Sequence, residues 1–328
     1  MKILIIYGTR PEYLKLKKII ELGNFKSLHI KQHSDIINFG NPDFILDIEN
    51  KTDRLNSVFS NIFYKLPEII KDFDSILIQG DTATVCASAL CAFNLRKKII
   101  YLESGLRTYD LENPFPEEGY RQMVARIADI NLCPTELSKK NLLNEFIFKN
   151  IHVVGNTSLD NLLEYKNKIS YSNKILVTLH RNENIPIIHD WIKEIEKAAN
   201  IFDNFEFIFP SHPNPIIKSA CDNICRKVKV TKSLEHSELL DILSNCRFVI
   251  TDSGGIQEEA SFLNKKTIVC RKYTERIEGI ESGHSILCED PILLIDKIDN
   301  IIENYKINKI SPYGDGQSSE RVLKLINE

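Results

Sequence analysis

The chain lacks most of the features that point outward from an ordinary folded interior. Its eight cysteines (Cys86, Cys91, Cys133, Cys221, Cys225, Cys246, Cys270 and Cys288) contain no CxxC pair. Cys221 and Cys225 lie four apart without a His/Cys partner pair, so reduced core thiols are expected rather than a disulfide frame or a metal site. No apolar run approaches the roughly 20 residues that cross a bilayer. The N-terminus has no basic, apolar, small-residue order of a secretory signal. The expectation is a cytoplasmic protein without membrane contact. Neither charge sign dominates, with 42 Lys and Arg against 45 Asp and Glu and a net charge of -3. No basic run offers a nucleic-acid surface. Internal repeats are also absent.

What is present is alternation. At 328 residues the chain exceeds what one core usually organises, so two domains are expected. Apolar runs at 2–8, 74–81, 97–104, 128–135 and 150–156 read as parallel strands buried on both faces, with a second strand just before KQHSDIINFG. TATVCASALCAF, EEGYRQMVARIA and ELSKKNLLNEF carry helical spacing between them. The pattern restarts with strands at 174–181, 205–212, 246–255 and 265–272, and helices near 188–200, 215–226, 236–245, 256–263 and 291–305. The fold class expected is α/β, with two Rossmann-like doubly wound parallel sheets facing a cleft. The first domain is read as 1–160 and the second as 161–308, joined near 157–172 where EYKNKISYSNK relaxes the pattern. A C-terminal helix over 309–328 has a return to the first domain open to it.

In such sheets ligands lie beyond the carboxyl ends of the strands, so the residues just past each strand carry the interest. After strand one, YGTRPEY places Arg10 and Lys15 near a helix N-terminus that already favours an anion. TDSGGIQEEA puts Ser253, Gly254 and Gly255 between a strand and a helix, where small residues admit a diphosphate. It is neither a Walker A sequence nor a GxGxxG. Glu258 and Glu259 follow in the first helical turns, Glu259 being the better candidate for ribose hydroxyls. Asp81, Glu103, Glu117 and Glu118 gather at strand ends or beside PFP; carboxylates in one cleft raise one another's pKa values and divide acid and base roles. Asp81 could instead cap the next helix, and Glu117 and Glu118 could simply complement its dipole. His180 in TLHRNEN and His212 in FPSHPNP follow corresponding strands of the second half, where they would contact phosphate or sugar. No ligand spacing supports a metal.

GTRPE, QGDT, ESGLRT followed by PFPEE and an Arg, VVGNTSLD, VTLHRNEN, TDSGGIQEEA, TERIE and SPYGDG, in this order, resemble the motifs of the non-hydrolysing UDP-N-acetylglucosamine 2-epimerases. The resemblance runs from residue 1 to about 325. It implies a glycosyltransferase-B type fold, with UDP mostly on the second domain and a UDP-sugar as the small-molecule partner. It also implies inversion of sugar carbon 2 by anti elimination and re-addition of UDP, through a glycal, with no cofactor. Asp81, Glu103, Glu117 and His180 match catalytic positions. Arg10, Lys15, Arg121, His212, Ser253, Gly254, Gly255 and Glu259 match or adjoin substrate-binding ones. A homodimer and a place in polysaccharide precursor supply are further implications.

The chain departs from that pattern in places. HRNEN has Asn182 where the family usually has Arg, LEHSELL replaces LDYLPF and leaves Leu239 where an aromatic near uracil is usual, and TERPE becomes TERIE. The region after strand two keeps Gln32 and His33 but is shortened. In some members it helps to hold a second, activating UDP-sugar, a device whose loss is expected here. The lead substrate is UDP-N-acetylglucosamine. UDP-N-acetyl-L-rhamnosamine, giving the L-quinovosamine series, is the alternative, as is a glycosyltransferase of the same fold.

Overall fold

Strand β1 (Ile3–Tyr7) is buried along its whole length, as its unbroken apolar run predicts. Ile3, Ile5 and Tyr7 pack into one cluster, and Leu4 and Ile6 into another on the opposite face. That period of two is the pleat of a strand covered by helices on both sides. The computed structural model describes residues 1–31, 40–49, 53–307 and 310–327. Gln32 and His33 lie outside those residues.

The chain divides into two units. The first comprises residues 1–161 and 314–328, the second residues 162–313. Among the described residues the first unit holds a seven-stranded sheet. Its strands are β1, β2 (Lys26–Lys31), β3 (Phe44–Asp47), β4 (Ser75–Gln79), β5 (Lys98–Leu102), β6 (Ile130–Cys133) and β7 (Ile151–Val153). All pairings are parallel, in the order β3-β2-β1-β4-β5-β6-β7. Its helices are α1 (Arg10–Gly23), α2 (Arg54–Ile70), α3 (Ala83–Asn94), α4 (Glu117–Ile127) and α5 (Glu136–Asn144).

In the second unit α6 (Leu163–Lys166) leads into a six-stranded parallel sheet with the order β10-β9-β8-β11-β12-β13. The strands are β8 (Lys174–Thr178), β9 (Glu206–Pro210), β10 (Lys229–Thr231), β11 (Phe248–Thr251), β12 (Lys266–Cys270) and β13 (Ser285–Cys288). The helices are α7 (Ile188–Ile201), α8 (Pro215–Ile224), α9 (His236–Asn245), α10 (Gly254–Phe262), α11 (Ile277–Glu281) and α12 (Leu294–Glu303). A last helix, α13 (Ser318–Asn327), belongs to the first unit. There Val322 and Ile326 pack with Leu16 and Ile19 of α1, each buried side chain contributing about 1.5–3 kcal/mol. The buried Asp160 carboxylate accepts from the Ser318 and Ser319 N–H groups at 3.0 and 2.5 Å and so caps α13.

Strand order reverses direction between β1 and β4 in one unit, and between β8 and β11 in the other. At such a switch point the flanking loops part and leave a crevice for a ligand. The sequence reading misses β3, β10 and β13. β3 buries only Leu46 and β10 buries nothing, so these edges lack the continuous apolar run that marks a central strand. α10 begins two residues earlier than the apolar pattern suggests, because its first two residues are glycines.

Candidate active site

In the first unit the switch point lies between the turn after β1 and the turn after β4. Thr9 caps α1, and Arg10 is its first helical residue, exposed. Lys15, one turn further, reaches across to Glu103 with Nζ at 2.5 and 2.6 Å from its two carboxylate oxygens. Glu103 directly follows β5 and is held a second time by the Gln79 amide. Its backbone lies in the left-handed region, φ +65°, which non-glycine residues enter at a cost of about 1–2 kcal/mol. Exposed residues such as Phe146 and Tyr109 share that conformation in turns, but Glu103 has only 10% of its side chain exposed. The strain aims a carboxylate inward.

Asp81 follows Gly80, whose φ of +89° makes the turn out of β4. Thr82, not Asp81, caps α3, which leaves the Asp81 carboxylate free of the capping role. Its Oδ2 accepts from Arg121 Nε at 2.8 Å and lies 2.6 Å from a second guanidinium nitrogen. Arg121 comes from α4, four residues after Glu117 and so on the same helix face. The two acidic residues that open α4 have separate fates. Glu118 is fully buried and accepts from the N–H groups of Thr108 and Tyr109 and from Gln122 and Arg121, a structural role. Glu117 keeps a buried Oε2 with no hydrogen-bond partner among the described residues.

Asp81 and Glu103 each face a cation. Lys15 and Arg121, expected on the substrate, are engaged with these two acids.

In the second unit, His180 follows β8 and Asp252 follows β11, again on either side of the switch point. Asp252 is fully buried and accepts from the N–H groups of His180 and Arg181 and from Asn184 Nδ2 at 3.0 Å. Asn184 also donates to the Cys270 carbonyl at 2.9 Å and accepts from Trp191 Nε1 at 3.2 Å, which fixes its amide. The His180 ring stacks on that of His212, centroids 5.5 Å apart and 14° from parallel. Burial lowers the pKa of both imidazoles, and Asp252 partly offsets this. His212 Nδ1 accepts from the Asn214 N–H at 3.1 Å, so the neutral ring carries its proton on Nε2, a donor.

The Ser253 turn divides its labour in a way the sequence reading did not separate. A Cβ at Gly254 would lie 2.5 Å from the Arg276 guanidinium, so Gly254 is small for Arg276 rather than for a ligand. A Cβ at Gly255 meets nothing within 4 Å, and the open room lies at the N-terminus of α10. The Ser253 side chain makes no capping bond to the helix. Glu258 pairs with Arg276 at 2.8 Å, and Glu259 meets His236 Nε2 at 3.0 Å. The first turn of α10 is therefore lined by a guanidinium, a hydroxyl and free-facing backbone, a suitable seat for a diphosphate.

Sequence reasoning missed Glu12, Gln79, Asp252, Arg276 and His236. All five lie in the quoted motifs or their replacements, but their partners are distant in sequence. Among the described residues no group of three His, Cys, Asp or Glu side chains is placed to hold a metal ion.

A sequence profile of the family described as UDP-N-acetylglucosamine 2-epimerase matches residues 21–327. The UDP-N-acetylglucosamine 2-epimerase of Salmonella borreze is 33% identical, over 98% of this chain and 97% of its own. The Neisseria meningitidis UDP-GlcNAc 2-epimerase, solved bound to UDP-GlcNAc, superposes with a TM-score of 0.90 at 30% identity, over all of both chains. The Methanocaldococcus jannaschii enzyme, solved in complex with UDP-GlcNAc and UDP, gives 0.82 at 30% identity, over 100% of this chain and 99% of its own. With a family profile over residues 21–327 and relatives matched over nearly all of both chains, this chain belongs to the UDP-N-acetylglucosamine 2-epimerase family.

Proposed function

We propose that the protein inverts carbon 2 of UDP-N-acetylglucosamine to give UDP-N-acetylmannosamine. The observation that carries this reading is the set of acids at the first unit's switch point: Asp81 and Glu103 oriented by cations, and Glu117, whose buried Oε2 has no partner among the described residues. A glycosyl transfer needs no such set, whereas C2 inversion needs a base on one face of the sugar and an acid on the other.

In this mechanism a carboxylate takes the C2 proton while the C1–O bond breaks, its electron pair leaving with UDP. The C2–H pair becomes the C1=C2 bond of a glycal. UDP then returns to C1, and a carboxylic acid delivers a proton to the opposite face of C2. Acids acting on the sugar come from Asp81, Glu103 and Glu117. The groups holding UDP are Ser253, the N-terminal backbone of α10, Arg276, His180 and His212, with Glu259 on the ribose hydroxyls. Arg10 adds a cation beside the leaving group.

The test is to incubate the protein with UDP-N-acetylglucosamine alone and follow the sugar by NMR. UDP-N-acetylmannosamine should accumulate to equilibrium without free UDP or free sugar. Release of UDP and free N-acetylmannosamine, or no reaction until an acceptor is added, contradicts the reading.

The same reading extends to a cytoplasmic enzyme supplying an amino sugar for polysaccharide. No helix among the described residues is long and apolar enough to cross a membrane. Exposed apolar side chains on the first unit, Phe63, Tyr64, Phe93 and Met123 among them, support a homodimer. Sedimentation at monomer mass over the micromolar range would exclude that state.

A further inference from the structure

Glu12 lies in the first turn of α1, is 3% exposed, and has no place in the reaction just described. Its Oε2 accepts from the N–H groups of Gly8 and Thr9 at 2.6 and 3.2 Å, which completes the capping box with Thr9. A capping box needs only one carboxylate oxygen. The other, Oε1, accepts from Thr82 Oγ1 at 2.7 Å, 70 residues away in sequence. Thr82 is itself the residue that caps α3 and accepts from the Val85 N–H. One carboxylate thus joins the N-termini of α1 and α3, the two helices that leave the strands flanking the switch point.

Among the described residues no cation pairs with Glu12. Burying a carboxylate without one carries a desolvation cost that a neutral side chain of equal length would avoid while still capping α1. What the carboxylate adds is acceptance from both turns at once. On the α1 side of this joint stands Lys15, which grips Glu103; on the α3 side, adjacent to Thr82, stands Asp81.

We propose that Glu12 is a positioning residue, a strut that sets the Asp81 carboxylate in register with the Lys15–Glu103 pair. The proposal rests on the reading that Asp81 and Glu103 act on the sugar. Glu12 itself touches no reacting atom. Its loss lets the two turns part by a fraction of an ångström to an ångström, and misplacement on that scale costs up to about a hundredfold in rate.

The experiment uses the full chain with Glu12→Gln, Thr82→Val, Thr82→Ser, the Glu12→Gln/Thr82→Val pair and Asp81→Asn. It reads kcat and KM for UDP-N-acetylglucosamine, UDP affinity by calorimetry, and Tm. Glu12→Gln and Thr82→Val should each lower kcat about 10- to 100-fold, with UDP affinity and KM within about twofold. The double variant should be no slower than the worse single one, because both remove the same bond. Thr82→Ser, which keeps the hydroxyl, should restore kcat to within about threefold of wild type. Wild-type kcat in Glu12→Gln, fully multiplicative losses in the pair, or equal loss in Thr82→Ser and Thr82→Val would each overturn the strut. Should Glu12→Gln fail to fold, the Val and Ser variants of Thr82 decide alone. Asp81→Asn separates the two levels. If it abolishes turnover while Glu12→Gln is unimpaired, only the strut is wrong; if it turns over at the wild-type rate, the assignment beneath the strut falls first.

Discussion

The two switch points share a topology and differ in how they handle charge. In the first unit the acids come paired: Asp81 with Arg121 and Glu103 with Lys15, while Glu12 spans the two turns between them. In the second unit the groups at the switch point are a pair of stacked imidazoles with lowered pKa values, a serine hydroxyl that does not cap its helix, and the start of α10. Asp252, the acid that follows β11, is spent on backbone N–H groups and the Asn184 amide. Oriented acids suit proton transfer, which needs a fixed direction of attack. Neutral donors around a helix N-terminus suit an anion that must be held while its bond to the sugar breaks and re-forms. On the proposed function, the first unit is the reacting half and the second the holding half.

The sharpest way to break this contrast is Glu117→Gln. Removing the acid with the unpartnered oxygen should lower kcat by about a thousandfold, within the usual span for a general acid or base, with UDP affinity unchanged. Equal losses of turnover and affinity would make Glu117 a binding residue and blur the division between the units.

A smaller effect separates two neighbouring glycines of the holding half. Gly255→Ala should fold as wild type, since its methyl meets nothing, yet weaken UDP about tenfold by narrowing the approach to α10. Gly254→Ala should lower stability by about 1–3 kcal/mol, because its methyl must displace the Arg276 guanidinium from Glu258. Identical behaviour of the two in calorimetry and thermal melts would remove the distinction.

The units should also answer pH with opposite signs. Burial pushes the Glu12 carboxyl up to about 7, above its unfolded value, so the folded state binds the extra proton between the two. Its contribution to stability is present at low pH and is lost as pH rises through about 7, on the order of 3 kcal/mol. The pKa values of His180 and His212 are lowered instead, so their contribution is present above the usual histidine value and is lost as pH falls below it. Chemical denaturation from pH 4.5 to 8 should show Glu12→Gln flattening the loss on the alkaline side, and His180→Gln flattening the loss on the acidic side. Unaltered slopes in both would refute these assignments. The smallest expected effect is that of EDTA, which should leave turnover within error, since carboxylates carry the proton transfers; a loss restored by a divalent cation would contradict that.

The positions of most candidate site residues were legible because they sit immediately after apolar runs. Asp81 and Glu103 follow β4 and β5, and His180 and Ser253 follow β8 and β11, so the strand pattern alone locates them at sheet ends. The alternation also identified the α/β class, with the exposed edge strands as its gap. What stayed hidden were the partnerships. Nothing in GTRPE announces that its glutamate reaches Thr82, or in TERIE that its arginine lies over Gly254, because both contacts are set by sheet order rather than by spacing. The resemblance singled out Glu117 over Glu118; what it did not show is that Glu118 accepts from the N–H groups of Thr108 and Tyr109.

The central claim is that the first unit's acids remove and return the C2 proton. It is tested most directly by running UDP-N-acetylglucosamine with the protein in heavy water and reading C2 by NMR. The account predicts UDP-N-acetylmannosamine carrying deuterium at C2, the same label growing into the remaining substrate, and neither signal with Glu117→Gln. Product that keeps its original proton at C2 would contradict it.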